Sequence, residues 1–333
     1  MLHPAHLLHH PPNLPAPTAH ATTASGVTPT LEGLRLTARD LRLLYALWTA
    51  RYLHTFQIWA LLWPQEPPKG GKWGTLKSCQ RRLQQLTAFH LCRRISLRIQ
   101  RGEAPPPFVY ALDEVGALLL QARGIAVDKH DWLPKSGENN YPYLRHCLET
   151  TDLRIVLEKA CLLHHVTLES WADERELRSA GMTDYVRLPP PSGQGQKVAV
   201  IPDAVFCLRK ANDSQFAWFF LEVDMGTVTI LPSLSERRGW QRKIKAYLAY
   251  RDTASYRQSF GDGPAGILTV TGSPTRLAHL QAATAAVLQE HPDLADRQEF
   301  LFSTFDQALV PTNLLAQPIW TPADRSARRA LLA

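Results

Sequence analysis

Asp203, Glu222 and Lys243 are the residues of this chain whose types and spacing suit a chemical task. Ile201-Pro202-Asp203 reads as part of an apolar strand. Nineteen residues after Asp203, Leu221-Glu222-Val223-Asp224 ends the apolar run that begins at Phe216. Buried strands seldom carry unpaired carboxylates, because desolvating a charge is expensive. Two adjacent strands that deliver Asp203 and Glu222 to one end can share a hard divalent cation such as Mg²⁺. Such an ion activates water and stabilises charge on a phosphodiester.

A helix is expected over about Ser235–Arg251, with Trp240, Ile244, Tyr247 and Leu248 as its apolar face. Lys243 falls on that same face, within reach of the carboxylates, whereas Lys245 points to solvent. Two plainer roles compete. Lys243 forms a partly buried salt bridge with Asp224 or Glu222 and catalyses nothing, or its stem packs and its amine snorkels outward. Glu158, on the preceding long helix, is either an accessory acid or an ordinary helix-surface residue.

The elements around these residues form an α-β-β-β-α-β order. It comprises a long helix from about Tyr143 to His164 and strands at about Val166–Trp171, Val198–Leu208 and Phe216–Met225. The Ser235–Arg251 helix and a strand at Gly266–Thr271 complete it. Residues 275–290 read as helical and Glu299–Ser303 as another strand. The expected product is a mixed sheet flanked by helices. The fold class expected for the whole chain is α+β: an N-terminal winged helix-turn-helix, then an α/β domain with a mixed sheet. The domains are a disordered tail (1–30), the winged helix (31–127), a linker (128–142), the α/β domain (143–308) and a loose C-terminal tail (309–333).

The winged helix rests on local signals. Thr37 caps a first helix, a second spans about His54–Trp63, and a third runs from about Thr75 to Ala88. Strict alternation places Ile95, Leu97 and Ile99 on one strand face and Arg94, Ser96, Arg98 and Gln100 on the other. A return strand follows at Phe108–Leu112, and Asp113 caps a closing helix that ends at Gly124. The third helix buries Leu76, Cys79, Leu83 and Leu86 and presents Lys77, Ser78, Arg81, Gln84 and Gln85. Arg and Gln suit base edges in a major groove, while Lys and Ser suit phosphates. Arg93, Arg94, Arg98 and Arg101 lie along the hairpin.

Charge agrees with that placement. The formal net charge is +7, and residues 31–130 hold 15 Lys+Arg against 7 Asp+Glu. The remainder is near neutral, so the positive field is concentrated where a polyanion such as double-stranded DNA would bind. Residues 1–30 carry no Lys, Arg, Asp or Glu and five of the 13 histidines, all within the first 20 residues. Five cysteines without CxxC spacing indicate neither a disulfide framework nor a zinc site. No membrane-length apolar run or secretory leader is visible, so a cytoplasmic protein is expected.

The pair Asp203 and Glu222 resembles the PD-(D/E)xK nuclease superfamily, which implies a nuclease-like α/β domain. That motif places a lysine two residues after the second acid, where this chain has Asp224. In some relatives the lysine moves to the following helix, as Lys243 would allow. More broadly, the chain resembles the replication-relaxation family of plasmids and integrated elements over roughly residues 35–275. Leu36-Thr37-Ala38-Arg39-Asp40, Ile201-Pro202-Asp203-Ala204-Val205 and Phe220-Leu221-Glu222-Val223-Asp224 carry the likeness, together with Lys243, Tyr247 and Tyr250. The resemblance implies a DNA-binding role in plasmid replication and DNA relaxation. Two alternatives stand beside it. One is a Mg²⁺-dependent nuclease or nickase using Asp203, Glu222, Lys243 and Asp224. The other is a transcriptional regulator whose second domain forms a homodimer.

Overall fold

Local signals set most element ends. The computed structural model describes residues 30–31, 33–63, 75–95, 108–128, 141–179, 183–188, 196–210, 216–227, 230, 239–263, 265–290 and 299–332. Short strands β1 (Thr30–Leu31) and β2 (Leu34–Arg35) pair antiparallel. Helix α1 (Ala38–Ala50) opens with a capping box: the Asp40 amide donates to Thr37 Oγ1 at 3.3 Å, and the Thr37 amide donates to Asp40 Oδ2 at 2.6 Å. After β3 (Leu53–His54), α2 (Thr55–Leu62) is capped by the His54 ring, which accepts from the Gln57 amide at 3.1 Å. Helix α3 (Leu76–Ala88) starts at the Thr75 cap and buries Cys79, Leu83 and Leu86.

Strands β4 (Cys92–Ile95) and β5 (Val109–Leu112) pair antiparallel, and β3 completes a sheet of order β3-β5-β4. Helix α4 (Glu114–Gln121) follows the Asp113 cap. A Cβ at Gly116 would fall on the Leu91 carbonyl oxygen, so α4 and the root of β4 touch backbone to backbone. The expected helices and the return strand are present, and the first hairpin strand is described as far as Ile95. Residues 96–107, which carry Arg98 and Arg101, lie outside the described residues.

Helix α5 (Tyr141–His164) is long, and the boundary between two compact units falls inside it, after Ile155. The expected division lay earlier, at a linker over 128–142. The first part of α5 joins the N-terminal unit because Leu144 and Leu148 pack with Tyr52, Ile95, Val109 and Ala111. Gln57 Nε2 also donates to the Leu148 carbonyl at 2.9 Å.

The second unit contains β6 (Val166–Asp173), α6 (Glu174–Ser179), β7 (Asp184–Leu188), β8 (Gln196–Val200), β9 (Ala204–Lys210) and β10 (Phe216–Asp224). Then come α7 (Trp240–Arg251), α8 (Ala254–Phe260), β11 (Gly266–Thr271), α9 (Pro274–Glu290), β12 (Glu299–Thr304), α10 (Phe305–Ala308), α11 (Pro311–Leu314) and β13 (Thr321–Pro322). The sheet order is β13-β12-β11-β10-β9-β6. β10, β11 and β12 run parallel, and the other pairs are antiparallel. The expected mixed sheet is therefore present, and the protein is mixed α/β. Phe220, Ile267 and Phe300 share a row of the face that packs on Trp240, Ile244 and Tyr247 of α7.

Two expectations need correction. The strand expected over Val198–Leu208 is two strands in different sheets: β8 pairs with β7, β9 joins the main sheet, and Ile201-Pro202-Asp203 forms the break. Pro202 has no amide proton to give a ladder, and it restricts Ile201 before it. The expected loose tail over 309–333 is packed through residue 332. Trp320 and Leu315 are fully buried, β13 pairs with β12, and Lys210 Nζ donates to the Leu332 carbonyl at 3.1 Å. Its burial of large apolar side chains outweighs its Pro and Arg content. Among the described residues, no helix is long and apolar enough to cross a membrane.

Candidate functional site

Asp203 sits at the bend between β8 and β9 and is held three ways. Its amide donates to the Leu221 carbonyl at 3.0 Å, its carbonyl accepts from the Glu174 amide at 2.9 Å, and its Oδ2 accepts from the Val223 amide at 2.7 Å. Since Ala204 pairs with Leu221, extending that register sets Asp203 opposite Glu222.

Glu222 is 2% exposed. Both of its carboxylate oxygens are engaged from α7: the Lys243 ammonium donates to Oε2 and the Tyr247 hydroxyl to Oε1. Lys243 and Tyr247 are one helical turn apart, so a single helix face supplies both donors. Burial pushes the Glu222 carboxyl up to about 7; the Lys243 ammonium opposes that shift and the Asp203 charge adds to it. Burial works against the Lys243 charge, but the Glu222 and Asp203 carboxylates outweigh it and hold the ammonium above its ordinary value. Burial, then the Glu222 charge, holds the Tyr247 hydroxyl well above the usual tyrosine value.

The structure thus brings Asp203, Glu222 and Lys243 together and separates Asp224 from them. Asp224 is buried and takes two bonds from Arg276, from Nε to Oδ2 at 2.8 Å and from Nη2 to Oδ1 at 2.9 Å. Thr271 Oγ1 adds a third at 2.8 Å. Lys243 pairs with Glu222, not Asp224. Two neighbours were missed from sequence. Tyr247 was read as an apolar-face residue and as part of the family likeness but not as a partner of Glu222, though its position four residues after Lys243 is a usable signal. Glu174, which adds to the field on Lys243, carried no such signal because its place depends on the Asp203 bend. Glu158 is half-buried on α5.

In the N-terminal unit, Lys77, Ser78, Arg81, Gln84 and Gln85 are all exposed on α3. Two of them also have internal partners. Ser78 Oγ accepts from Trp63 Nε1 at 2.9 Å and donates to the Thr75 carbonyl at 2.7 Å, and Gln85 Oε1 accepts from Arg82 at 3.0 Å. Arg82 itself clamps α3 to the α1 cap, with Nε at 2.8 Å from Asp40 Oδ1 and Nη2 at 2.6 Å from Asp40 Oδ2. Arg94 is exposed, its guanidinium 4.5 Å from the Phe108 ring centroid.

Among the described residues, no group of three or more His, Cys, Asp or Glu side chains is disposed to hold a metal. Asp203 and Glu222 are a pair of oxygen donors that already draw one cation, the Lys243 ammonium. Both Glu222 oxygens and Asp203 Oδ2 accept from protein donors.

No curated protein matches the sequence. Among solved structures, the chain is similar to the restriction endonuclease FokI bound to DNA, at 13% identity and a TM-score of 0.25. The match covers 83% of this chain and 45% of that one, so the chain spans less than half of that structure's length. The family model described as replication-relaxation matches residues 44–264, a span holding the α3 face, Asp203, Glu222 and Lys243. The chain belongs to the replication-relaxation family.

Proposed function

We propose that this protein binds double-stranded DNA of a plasmid or other mobile element during its replication or relaxation, and nicks a phosphodiester at Asp203, Glu222 and Lys243. The observation that carries the reading is the convergence of these three side chains from the β9 entry, β10 and α7 at one end of these two interior strands. The N-terminal unit acts as a winged helix. Lys77, Arg81, Gln84 and Gln85 face the groove, and Arg94 faces the backbone.

In this reading Asp203 and Glu222 hold Mg²⁺, which supplies charge neutralisation and an activated water when bound. The protein's own groups do the positioning. Tyr247 fixes the Glu222 carboxylate, the Val223 amide fixes Asp203, and Lys243 keeps a proton-bearing cation beside both. Its position suits it to steady negative charge on a phosphate oxygen.

The test is incubation of the purified chain with supercoiled plasmid and Mg²⁺, beside Asp203→Ala and Lys243→Ala. Nicked or linear product from the parent, lost in both variants, is the expected result. Confirmed binding with no Mg²⁺-dependent product in any sample would leave a second reading, a DNA-binding protein that does not cut. The Asp224–Arg276 pair favours that reading, because it fills the place where the nuclease motif carries lysine.

A further inference from the structure

The β7–β8 ribbon has two unlike faces. Val186, Leu188 and Val200 are buried in the core beneath α7, while Tyr185, Arg187 and Lys197 are exposed on the other side. The register pairs Arg187 directly with Lys197 and Tyr185 with Ala199. Like charges placed opposite one another across two strands destabilise a hairpin. Among the described residues, neither cation has a carboxylate partner within ion-pair distance. Lys197 Nζ instead lies 4.0 Å from the Tyr185 ring centroid. The ribbon is also firmly moored. Asp184 accepts from the Tyr250 hydroxyl and from Ser255 Oγ, the latter at 2.6 Å. From β8 the chain passes directly through Ile201 and Pro202 to Asp203.

We infer that this outer face is a second nucleic-acid contact, taking the DNA backbone on Arg187 and Lys197, with the Tyr185 ring bracing Lys197. A ribbon that holds two cations in register without a carboxylate partner gains from a polyanion, whose phosphates relieve their repulsion and release counterions. The Tyr185 ring, with Lys197 Nζ 4.0 Å from its centroid, holds that ammonium on the outer face. The inference rests on the DNA-acting reading of the second unit and names the surface that would present the strand to Asp203, Glu222 and Lys243.

The experiment uses the full-length chain, a fluorescent DNA duplex and a salt titration, comparing the parent with Arg187→Gln/Lys197→Gln and Arg187→Glu. Each lost phosphate contact lowers the slope of log affinity against log salt by roughly 0.9. The double variant should therefore lose close to two units of slope and about tenfold in affinity at moderate salt. Arg187→Glu should weaken binding while holding or raising the melting temperature, because it converts a repulsive cross-strand pair into an attractive one. Unchanged slope and affinity in both variants, with the parent binding DNA, would overturn the ribbon contact and leave the DNA reading standing. A parent that binds no DNA at low salt would overturn both.

Discussion

Lys243 reaches across from α7 to bond the buried carboxylate of Glu222 on β10, and Tyr247, one turn further along the helix, takes the other oxygen. This relationship makes the charge state of the pair depend on pH in an unusual direction. A carboxyl whose folded pKa is raised opposes folding once it ionises, so its penalty is absent in acid and grows as pH climbs from 4.5 toward about 7. Lys243 offsets part of that penalty. Lys243→Met should therefore cost little stability at pH 5 and on the order of 1–3 kcal/mol at pH 8, a range reduced because the lysine side chain is one-third exposed. Thermal melts of both proteins at the two pH values check this; an equal loss at both would refute it.

Asp224→Lys would recreate the lysine of the nuclease motif. It should not create activity. The new cation would face the Arg276 guanidinium, which sits 2.8–2.9 Å from the former carboxylate oxygens, in a buried place. The expected outcome is a drop of several kcal/mol in stability, since an unpaired buried charge is typically worth about 3–5 kcal/mol. Chemical denaturation measures it, and a variant as stable as the parent would contradict the assigned role of Arg276.

Asp40 and Arg82 make the opposite kind of pair. Burial raises the Asp40 carboxyl, but bonds from Arg82 and Thr37 outweigh it and hold the carboxyl below its ordinary value. A lowered folded pKa contributes stability above the unfolded value, and that contribution is lost as pH falls through the folded one. Arg82→Met should cost about 2–4 kcal/mol at pH 7 and much less at pH 2–3. A pH-independent loss would assign the effect to packing instead.

Two neighbours on α3 should separate by readout. Arg81 is exposed, so Arg81→Ala should leave the melting temperature unchanged and weaken DNA binding by about 1–3 kcal/mol if it meets a base edge. Ser78→Ala removes the acceptor for Trp63 Nε1 and should cost about 1 kcal/mol of stability. Anisotropy and calorimetry on both variants decide; a Ser78 variant altered only in binding would restore the phosphate role expected from its residue type.

What was legible from sequence was local. Thr37, Thr75 and Asp113 announced their helices because a cap acts within three or four residues. Asp203, Glu222 and Lys243 were legible as a set because each breaks an otherwise apolar pattern. The pairing of Asp224 with Arg276, 52 residues apart, was not, since nothing near either residue specifies the other. The β7–β8 ribbon was missed for a different reason. Val198–Val200 and Ala204–Leu208 form one continuous apolar pattern, and only Pro202 marks where the chain changes sheets. The packed C-terminal segment was hidden by its Pro and Arg residues, although Trp320 and Leu315 carry its burial.

Gly116 has a consequence for how the N-terminal unit can change over generations. Because α4 rests on the Leu91 carbonyl with no side chain between them, the spacing between that helix and the start of β4 is set by main chain. Any side chain at position 116, alanine included, would push the helix off the strand it caps.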